Sequence, residues 1–307
     1  MTTIFIDGSA GTTGLRITDR LAQRQDIRLL KLPEALRKEP AARKAAINQA
    51  DIVFLCLPDA AAREAVAMAE NPNVRIIDTS TAHRTDPGWV YGFAELSGQR
   101  ERIAASRRIA NPGCHASGFI ALAAPLVQHG LLSKDALLSC FSLTGYSGGG
   151  KQMIAAYEAP DRSPLLKGPR QYALPQQHKH LKEMAALCGL ETVPLFCPIV
   201  ADFYSGMEVT IPLHKKDLRG SIDDLRDLYR SYYATGLVRY RDCADPDGML
   251  SAAALSGRDD MEVSVFGNED RILLTARFDN LGKGASGAAI QNMNILLGVE
   301  ESTGLSV

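Results

Sequence analysis

Apolar runs and helical repeats alternate along residues 1–110. The runs TIFIDG, IRLLKL, DIVFLCLP and VRIIDTS are rich in β-prone residues, and segments such as GLRITDRLAQR and AAREAVAMAE repeat apolar positions at helical spacing. Parallel strands that are buried on both faces have such continuous apolar patterns, and helices connect them in βαβ units. The pattern predicts an α/β domain with a doubly wound, Rossmann-type sheet.

The pattern changes after residue 115. GFIALAAPLVQHGLL predicts an apolar helix, and longer strand candidates follow it: LLSCFSLTGYS, ETVPLFCPIVADF, GMEVTIPL, MEVSVFG and RILLTARFDN. The last two flank the polar turn 268–270, which favours a hairpin, and SIDDLRDLYRSYYATG predicts a helix with Ser221 as its N-cap. Few helices among paired strands indicate an α+β domain with a mixed sheet. The final GASGAAIQNMNILLGVEES predicts one more apolar helix.

Composition narrows the class of protein. The 307 residues are 46% hydrophobic and 22% charged, with a net charge of −1, so no basic excess points to nucleic acid as a partner. No apolar run reaches the ~20 residues of a membrane span. The six cysteines form no CxxC pair and no cluster with zinc spacing, so neither a metal site nor a disulfide framework is predicted. We expect a cytoplasmic protein with reduced thiols.

The segment IFIDGSAGTTG has glycines at 8, 11 and 14, between the first strand and the first helix. Glycine permits a tight turn there and a close approach of the backbone to a pyrophosphate, which the helix N-terminus then binds. The position favours dinucleotide binding over an ordinary strand-to-helix turn. Glu34 lies where an acidic residue would bind the ribose of NAD, but Lys31 and Arg37 flank it and favour the 2′-phosphate of NADP.

Cys114 lies in the segment NPGCHAS, just after a turn and at the start of a predicted helix. Two readings are open. Free cysteine is often a buried, unreactive residue. A thiol at a helix N-terminus is also well placed to be a nucleophile, because backbone N–H groups and the helix dipole favour the thiolate.

The motifs GSAGTTG, LCLPDAAA, DTSTAHR, NPGCHAS, TGYSGGGK and DNLGKGASGAAIQNMN occur in this order. With them the chain resembles, over nearly its whole length, the short form of the N-acetyl-gamma-glutamyl-phosphate reductase family of arginine biosynthesis. The wider superfamily contains the aspartate-semialdehyde dehydrogenases. The resemblance implies a glyceraldehyde-3-phosphate dehydrogenase-like fold. Residues 1–115 and 283–307 would form the NADP-binding domain, and residues 116–282 the catalytic and dimerisation domain.

The resemblance also implies roles for individual residues. Cys114 matches the family's nucleophile, and His178 and His180 in QQHKHLKEM match a His-Arg-His motif. A lysine separates the histidines here, so which of them is the catalytic base stays open, with His180 favoured by its place in the motif. The expected cofactor contacts are Gly8, Ser9, Ala10, Gly11, Thr12, Thr13, Gly14, Pro58, Ser80, Asn280, Lys283 and Gly284.

The expected substrate contacts are Arg84, Asn111, Ser147 and Lys151. A guanidinium can bind a phosphate through two hydrogen bonds, and TGYSGGGK combines a hydroxyl, glycine N–H groups and a lysine into a plausible anion nest. The alternatives are a solvated arginine and a solvated glycine loop.

The implied reaction is the NADPH-dependent reduction of N-acetyl-glutamyl 5-phosphate through a Cys114 thioester, with a small acyl phosphate as substrate and a homo-oligomer, dimer or tetramer, as assembly. Three alternatives stay open. The chain could reduce another acyl phosphate, as aspartate-semialdehyde dehydrogenase does. It could be a cofactor-free cysteine acyltransferase or hydrolase. It could also bind NADP as a redox sensor without turnover.

Overall fold

The computed structural model describes residues 1–244 and 247–307. The first elements are β1 (Thr2–Asp7), α1 (Thr12–Leu21), β2 (Ile27–Leu30), α2 (Pro40–Gln49), β3 (Ile52–Leu55), α3 (Asp59–Ala67), β4 (Arg75–Asp78), β5 (Val90–Tyr91), α4 (Gln99–Ala105) and β6 (Arg108–Ala110). The later ones are α5 (Cys114–Gln128), β7 (Ser139–Gly145), α6 (Gly150–Glu158), β8 (Arg170–Gln171), α7 (His180–Cys188), β9 (Leu195–Ala201), β10 (Met207–His214), α8 (Ile222–Tyr232), β11 (Val238–Tyr240), β12 (Met261–Gly267), β13 (Arg271–Phe278) and α9 (Gly287–Leu297).

The chain divides into two compact units. The first comprises Met1–Pro112 and Ala285–Leu305, and the second comprises Gly113–Gly284 and Ser306–Val307. These edges differ by a few residues from the boundaries expected from the sequence. Gly113 caps α5, and α5 packs on β10 and β13, so the residues around Cys114 belong to the second unit.

The first unit contains a six-stranded parallel sheet in the order β2-β1-β3-β4-β6-β5. Its strands are buried on both faces because alternate side chains enter two different cores. Ile4 and Phe54 pack with residues of α1 and α9, whereas Phe5 and Val53 pack with residues of α2 and α3. The continuous apolar runs of the sequence therefore predicted the doubly wound sheet correctly.

The second unit contains a seven-stranded mixed sheet in the order β11-β12-β13-β10-β7-β9-β8. Helices α5 and α8 cover one face of it. The predicted hairpin is confirmed, since β12 and β13 pair antiparallel around Asn268. Ser221 is the N-cap of α8, where its hydroxyl accepts the Asp224 N–H at 3.2 Å.

The other face of this sheet carries exposed apolar side chains. Phe141 on β7, Leu195 on β9 and Leu273 on β13 are 47%, 62% and 44% exposed. The longest apolar helix, α5, has 15 residues. Within residues 1–244 and 247–307, no helix is long and apolar enough to cross a membrane.

Helix α9 is part of the core of the first unit, although it follows 172 residues of the second unit in the chain. Its side chains Ile290 and Met293 are fully buried in the cluster that contains Ile4 and Phe54. We therefore expect Met293→Ala to lower the free energy of unfolding by about 2–5 kcal/mol, through lost burial and a cavity. Val299→Ala is the control, since Val299 is 38% exposed just beyond the helix. Equal urea midpoints for the two variants would mean that α9 is not part of this core.

Candidate functional site

The glycine loop of the first unit connects β1 to α1. Gly8 has a φ of +86°, and a Cβ atom there would lie 2.3 Å from the carbonyl oxygen of Cys56. A Cβ on Gly14 would lie 2.5 Å from the carbonyl oxygen of Gly8. At Gly11 the nearest atom to a Cβ would be 3.5 Å away, which is ordinary contact. The protein's own packing thus requires glycine at 8 and 14 but not at 11.

A cavity of about 670 Å³ lies beside this loop. In α1 the N–H of Leu15 bonds to the carbonyl of Gly11, and the earlier N–H groups of the first turn have no acceptor inside the helix. They form a positive end that suits a phosphate. The cavity is lined by Phe5, Ile6, Asp7, Gly8, Ser9, Ala10, Gly11, Leu15, Thr18, Leu29, Leu30, Lys31, Leu32, Glu34, Arg37, Lys38, Arg43, Cys56, Leu57, Pro58 and Ala61.

Basic side chains outnumber acidic ones in this cavity. Arg43 is buried and donates to Asp7 at 2.9 and 3.1 Å, so it is paired with the carboxylate at the end of β1. Glu34 pairs with Arg37 at 2.8 Å. The lysines at 31 and 38 line the same cavity. An apolar floor of β-strand residues with this excess of positive charge fits an adenine nucleotide that carries an extra phosphate.

The loop after β4 is organised around the buried carboxylate of Asp78. The Ser80 hydroxyl donates to Oδ2 of Asp78 at 2.8 Å, and Nδ1 of His83 lies 2.6 Å from the same oxygen. The His83 ring stacks on Trp89 with centroids 4.1 Å apart. Ser80, expected to contact the cofactor, is therefore held by Asp78 in this loop.

Arg84 and Asn111 are both buried within the first unit. Nε of Arg84 donates to the carbonyl of Asn111 at 3.0 Å, and Nη2 donates to the carbonyl of Thr79 at 3.3 Å. The Asn111 amide donates to the carbonyl of Ala285 at 2.9 Å and accepts from Asn292 at 3.2 Å. The alternative prediction that Arg84 is a solvated surface residue is therefore wrong. These bonds hold the segment before Cys114, and substrate contact by either residue stays a prediction.

In the second unit, Cys114 is the first residue of α5. The N–H of its N-cap, Gly113, donates to Oε2 of Glu183 at 3.2 Å, so a buried carboxylate lies at the start of this helix. Gly284 lies on the other side, where a Cβ would be only 2.9 Å from Cβ of Cys114. The thiol is therefore fixed between a helix N-terminus and a glycine that leaves it room.

The two predicted histidines lie at the start of α7 and differ in their contacts. Nδ1 of His178 accepts the backbone N–H of His180 at 3.2 Å, so the His178 ring caps the helix. Nε2 of His180 lies 3.8 Å from Oε1 of Glu183. Their ring centroids are 4.7 Å apart. The structure thus gives His180 a carboxylate partner and His178 a backbone partner.

His115, beside the thiol in sequence, connects two hydroxyl groups. Its Nδ1 lies 2.6 Å from Oγ of Ser142, and its Nε2 lies 2.7 Å from the hydroxyl of Tyr172. Burial and the nearby His178 lower the pKa of His115 to about 3, so this ring is neutral at pH 7. Burial and the neighbouring Cys114 raise the pKa of Tyr172 above its usual value, which keeps the phenol protonated.

The remaining predicted contacts of the second unit tie two loops together. The Asn280 amide donates to Oγ of Ser147 at 3.0 Å and accepts the N–H of Gly206 at 2.9 Å. The two lysines that are predicted to contact ligands differ in exposure. Lys283 is buried, at 1% exposed, whereas Lys151 is exposed in the first turn of α6. The glycines at 148 and 149 are exposed beside Ser147, as an anion nest requires.

Cys114, Cys56 and Cys197 are half-buried, Cys140 and Cys188 are buried, and Cys243 is exposed. Burial raises the pKa of Cys56 to about 12 and also raises the pKa values of Cys140 and Cys188. Such thiols are poor nucleophiles at neutral pH. The apolar strand pattern of β9 predicts a core position for Cys197, but the side chain is half-buried on the outer face of the strand.

Several residues of these clusters were not predicted from the sequence. Glu183 follows His180 by one helical turn, and that spacing could have indicated an ion pair. Asp78 is the first residue of the DTSTAHR motif, directly after an apolar strand pattern, and nothing in the motif indicates that its carboxylate organises the loop. No pattern in the sequence indicates that Ser142 and Tyr172, 30 residues apart, meet on His115.

Comparisons with known proteins agree on one family. A family profile described as semialdehyde dehydrogenase, dimerisation domain, matches residues 114–280, and one described as semialdehyde dehydrogenase, NAD binding domain, matches residues 29–106. N-acetyl-gamma-glutamyl-phosphate reductase 2 of Pseudomonas putida is 46% identical over 312 residues, covering 98% of each chain. The N-acetyl-gamma-glutamyl-phosphate reductase of Rhizobium etli is 46% identical over 304 residues, covering 96% of this chain and 98% of the relative.

Solved structures support the fold. Aspartate semialdehyde dehydrogenase II of Vibrio cholerae, in a complex with ASA, has a TM-score of 0.71 at 14% identity and covers 97% of this chain and 98% of its own. The aspartate semialdehyde dehydrogenase of Francisella tularensis also has a TM-score of 0.71 at 14% identity, over 97% and 100%. At this identity the likeness concerns the two-domain fold alone.

Gly11 offers a test of the dinucleotide site that spares the fold. We expect Gly11→Val to keep the wild-type melting temperature, because a side chain there meets only ordinary contacts, and to weaken NADP(H) binding at least about tenfold by obstructing the pyrophosphate. Fluorescence titration with NADPH measures the affinity. Leu36→Val is the control, since Leu36 is exposed and outside the residues that line the cavity. A folded Gly11→Val variant with unchanged affinity would contradict a pyrophosphate site at this loop.

Proposed function

Because this chain belongs to the N-acetyl-gamma-glutamyl-phosphate reductase family, we infer that it reduces N-acetyl-glutamyl 5-phosphate to the 5-semialdehyde and phosphate with NADPH, a step of arginine biosynthesis. Within the structure, the observation that carries this function is the half-buried Cys114 at the first turn of α5, next to a histidine–carboxylate pair. Acyl transfer to a thiol requires such an arrangement of nucleophile, base and base partner.

Cys114 is the nucleophile in this proposal. The thiolate attacks the acyl carbon of the phosphate anhydride, the bond from that carbon to the phosphate oxygen breaks, and phosphate leaves with its electron pair. The resulting thioester is a better hydride acceptor than a carboxylate and keeps the acyl carbon at a fixed place. The dipole of the 15-residue α5 stabilises the negative sulfur at its N-terminus.

His180 is the general base in this proposal, and His178 is a helix cap. Oε1 of Glu183 lies 3.8 Å from Nε2 of His180 and favours the imidazolium that forms when His180 takes the thiol proton. Nδ1 of His178 already accepts the His180 N–H. The phosphate that leaves is the natural acceptor for the proton held by His180.

NADPH, when bound, supplies the hydride that reduces the thioester. The glycine loop and the first turn of α1 would hold its pyrophosphate, and the basic residues of the cavity would meet its 2′-phosphate. Lys31, Arg37 and Lys38 are the residues that we assign to this phosphate, because Arg43 is buried against Asp7, whereas the ion pair of Arg37 with Glu34 is exposed and therefore weak. All six cysteines are free, which supports the expected cytoplasmic location.

Residues 114–280 match a dimerisation domain, and the outer face of its sheet is the surface that we assign to a homo-oligomer. Phe141, Leu195 and Leu273 are exposed on three of its strands, and half-buried Leu143 and Ile199 continue the same face. Exposed apolar side chains on neighbouring strands of this kind mark protein interfaces.

A panel of acyl phosphates tests the proposed reaction. Oxidation of each semialdehyde by NADP⁺ in the presence of phosphate should be fastest for N-acetyl-glutamate 5-semialdehyde. Cys114→Ser should bind NADPH normally and keep less than about a tenth of the wild-type rate, because a serine hydroxyl ionises far less readily than a thiol. Cys197→Ser is the matched control and should keep its activity. If the wild-type protein preferred aspartate 4-semialdehyde, it would be an aspartate-semialdehyde dehydrogenase. If the wild-type protein did not bind NADPH, the cofactor-free acyltransferase alternative would be favoured.

The same assay distinguishes the two histidines. His180→Ala should lower kcat about 10²–10⁴-fold, the usual contribution of a general base, with little change in melting temperature. His178→Ala should mainly destabilise α7, with a smaller change in kcat. The reverse pattern would assign the base to His178.

A charge on the outer sheet face tests the oligomer. Phe141→Asp combined with Leu195→Asp should reduce the mass in light scattering to that of one chain, because burying two carboxylates in an apolar interface is costly. Leu137→Asp is the control, since Leu137 is 82% exposed just before β7. An unchanged mass would place the interface elsewhere.

A further inference from the structure

Ser142, His115 and Tyr172 form a chain of hydrogen bonds in the second unit, and the proposed reaction does not yet use it. Ser142 on β7 is fully buried, and His115 is 4% exposed in the first turn of α5. The two contacts are 2.6 Å at Nδ1 of His115 and 2.7 Å at its Nε2. Both distances are within hydrogen-bond range, so each contact has one donor and one acceptor.

The buried serine sets the direction of the first hydrogen bond. Within residues 1–244 and 247–307, the only hydrogen bond of the Ser142 hydroxyl is the one to His115. A buried O–H that does not donate leaves a polar hydrogen unsatisfied, at a cost comparable to a lost hydrogen bond. Ser142 therefore donates, and Nδ1 of His115 is the acceptor, without a proton of its own.

The direction of the second hydrogen bond follows from the charge of the ring. His115 is neutral, because burial and His178 disfavour its charged form. A neutral imidazole carries one N–H, which donates, while its other nitrogen accepts. Since Nδ1 accepts from Ser142, the proton is on Nε2, and Nε2–H donates to the oxygen of Tyr172.

Tyr172 is left with its own O–H to donate elsewhere. Its ring lies edge-on to that of His178, at a centroid distance of 6.2 Å. Cys114 is close enough that its negative charge disfavours ionisation of the phenol. The hydroxyl is protonated, its oxygen is bonded to His115, and its O–H is available to donate a hydrogen bond to a group attached to the sulfur.

We propose that Ser142, acting through His115, fixes the Tyr172 hydroxyl as a hydrogen-bond donor to the acyl oxygen of the Cys114 adduct. The proposal rests on the proposed function, since it concerns the thioester formed there. Ser142 and His115 are positioning residues, and Tyr172 is the group that contacts the reacting acyl oxygen. The neutral ring matters because an imidazolium would donate at both nitrogens and would leave Ser142 without an acceptor.

The donor acts when charge develops on the acyl oxygen. Hydride addition to the thioester carbon breaks the C=O π bond and places its electron pair on oxygen, where Tyr172 stabilises it. The alkoxide then re-forms the carbonyl, the C–S bond breaks, and that electron pair leaves on the Cys114 sulfur. Tyr172 is protonated before and after the step, so the reaction needs no further proton from this chain of residues.

The tautomer of His115 is the first test, and it does not depend on activity. In a long-range ¹H–¹⁵N spectrum, His115 should show a protonated Nε2 and an unprotonated Nδ1 from about pH 5 to about pH 9. Its signals are assigned by their loss in His115→Asn. Ser142→Ala should convert His115 to a mixture of tautomers or to the Nδ1–H form. A protonated Nδ1 in the wild-type protein would overturn the proposal.

Kinetics are the second test. Tyr172→Phe should lower kcat about 10²–10³-fold, as loss of an oxyanion donor does, with little change in the KM for the acyl phosphate or in NADPH affinity. Ser142→Ala should lower kcat about tenfold through misdirection of the same hydroxyl. Ser142→Thr keeps the hydroxyl and should restore most of the rate. Ser264→Ala removes another buried serine hydroxyl, on β12, and should have no effect.

The two tests separate failure of this proposal from failure of the proposed function. An active wild-type enzyme whose kcat is unchanged by Tyr172→Phe would overturn the proposal alone. A wild-type protein that turns over no acyl phosphate would contradict the proposed function, and the proposal would fall with it. The tautomer spectrum would still report whether Ser142 directs His115.

Discussion

The start of α5 is the constraint on which the chemistry of the second unit depends. Gly113 caps the helix and donates its N–H to the buried Glu183, and Cys114 follows as the first helical residue. The helix packs on β10 and β13 and is buried along nearly its whole length. The thiol can therefore move little, and every group that is to act on it must be brought to it by another element.

The same arrangement brings the Glu183 carboxylate and the Cys114 thiolate to the same end of α5. Glu183 is 1% exposed and occupies the helix end that would also favour a thiolate at Cys114. Two anions this close repel each other in a medium of low polarity. A positive charge on His180, 3.8 Å from Glu183, relieves that repulsion, so proton transfer from the thiol to His180 keeps the local charge unchanged. The carboxylate, the histidine and the thiol are best understood as one unit.

Much of this architecture could be predicted from the sequence because it depends on local patterns. Continuous apolar runs predicted the parallel sheet, and the turn at Asn268 and the cap at Ser221 predicted the hairpin and α8 correctly. The family resemblance is confirmed by relatives 46% identical over nearly the whole chain. In contrast, the partnership of Ser142, His115 and Tyr172 joins three elements far apart in sequence, and only packing brings them together.

The roles of buried polar residues are harder to predict from the sequence. The side chains of Arg84 and Asn111, which are predicted to contact the substrate, also bond to backbone carbonyls within the first unit. Asn280 likewise connects Gly206 with Ser147. A sequence shows that such residues are polar but not whether their partner is a ligand or the chain itself. The distinction depends on burial, which for a loop residue follows from the tertiary fold.

Covalent trapping tests the central claim, a thioester at Cys114, most directly. The protein is mixed with N-acetyl-glutamyl 5-phosphate in the absence of NADPH, quenched in acid, and analysed by intact mass and peptide mapping. The account predicts one N-acetyl-glutamyl group per chain, located on the peptide that contains Cys114 and absent from Cys114→Ser. An active enzyme that forms no adduct, or forms it on another residue, would contradict the account.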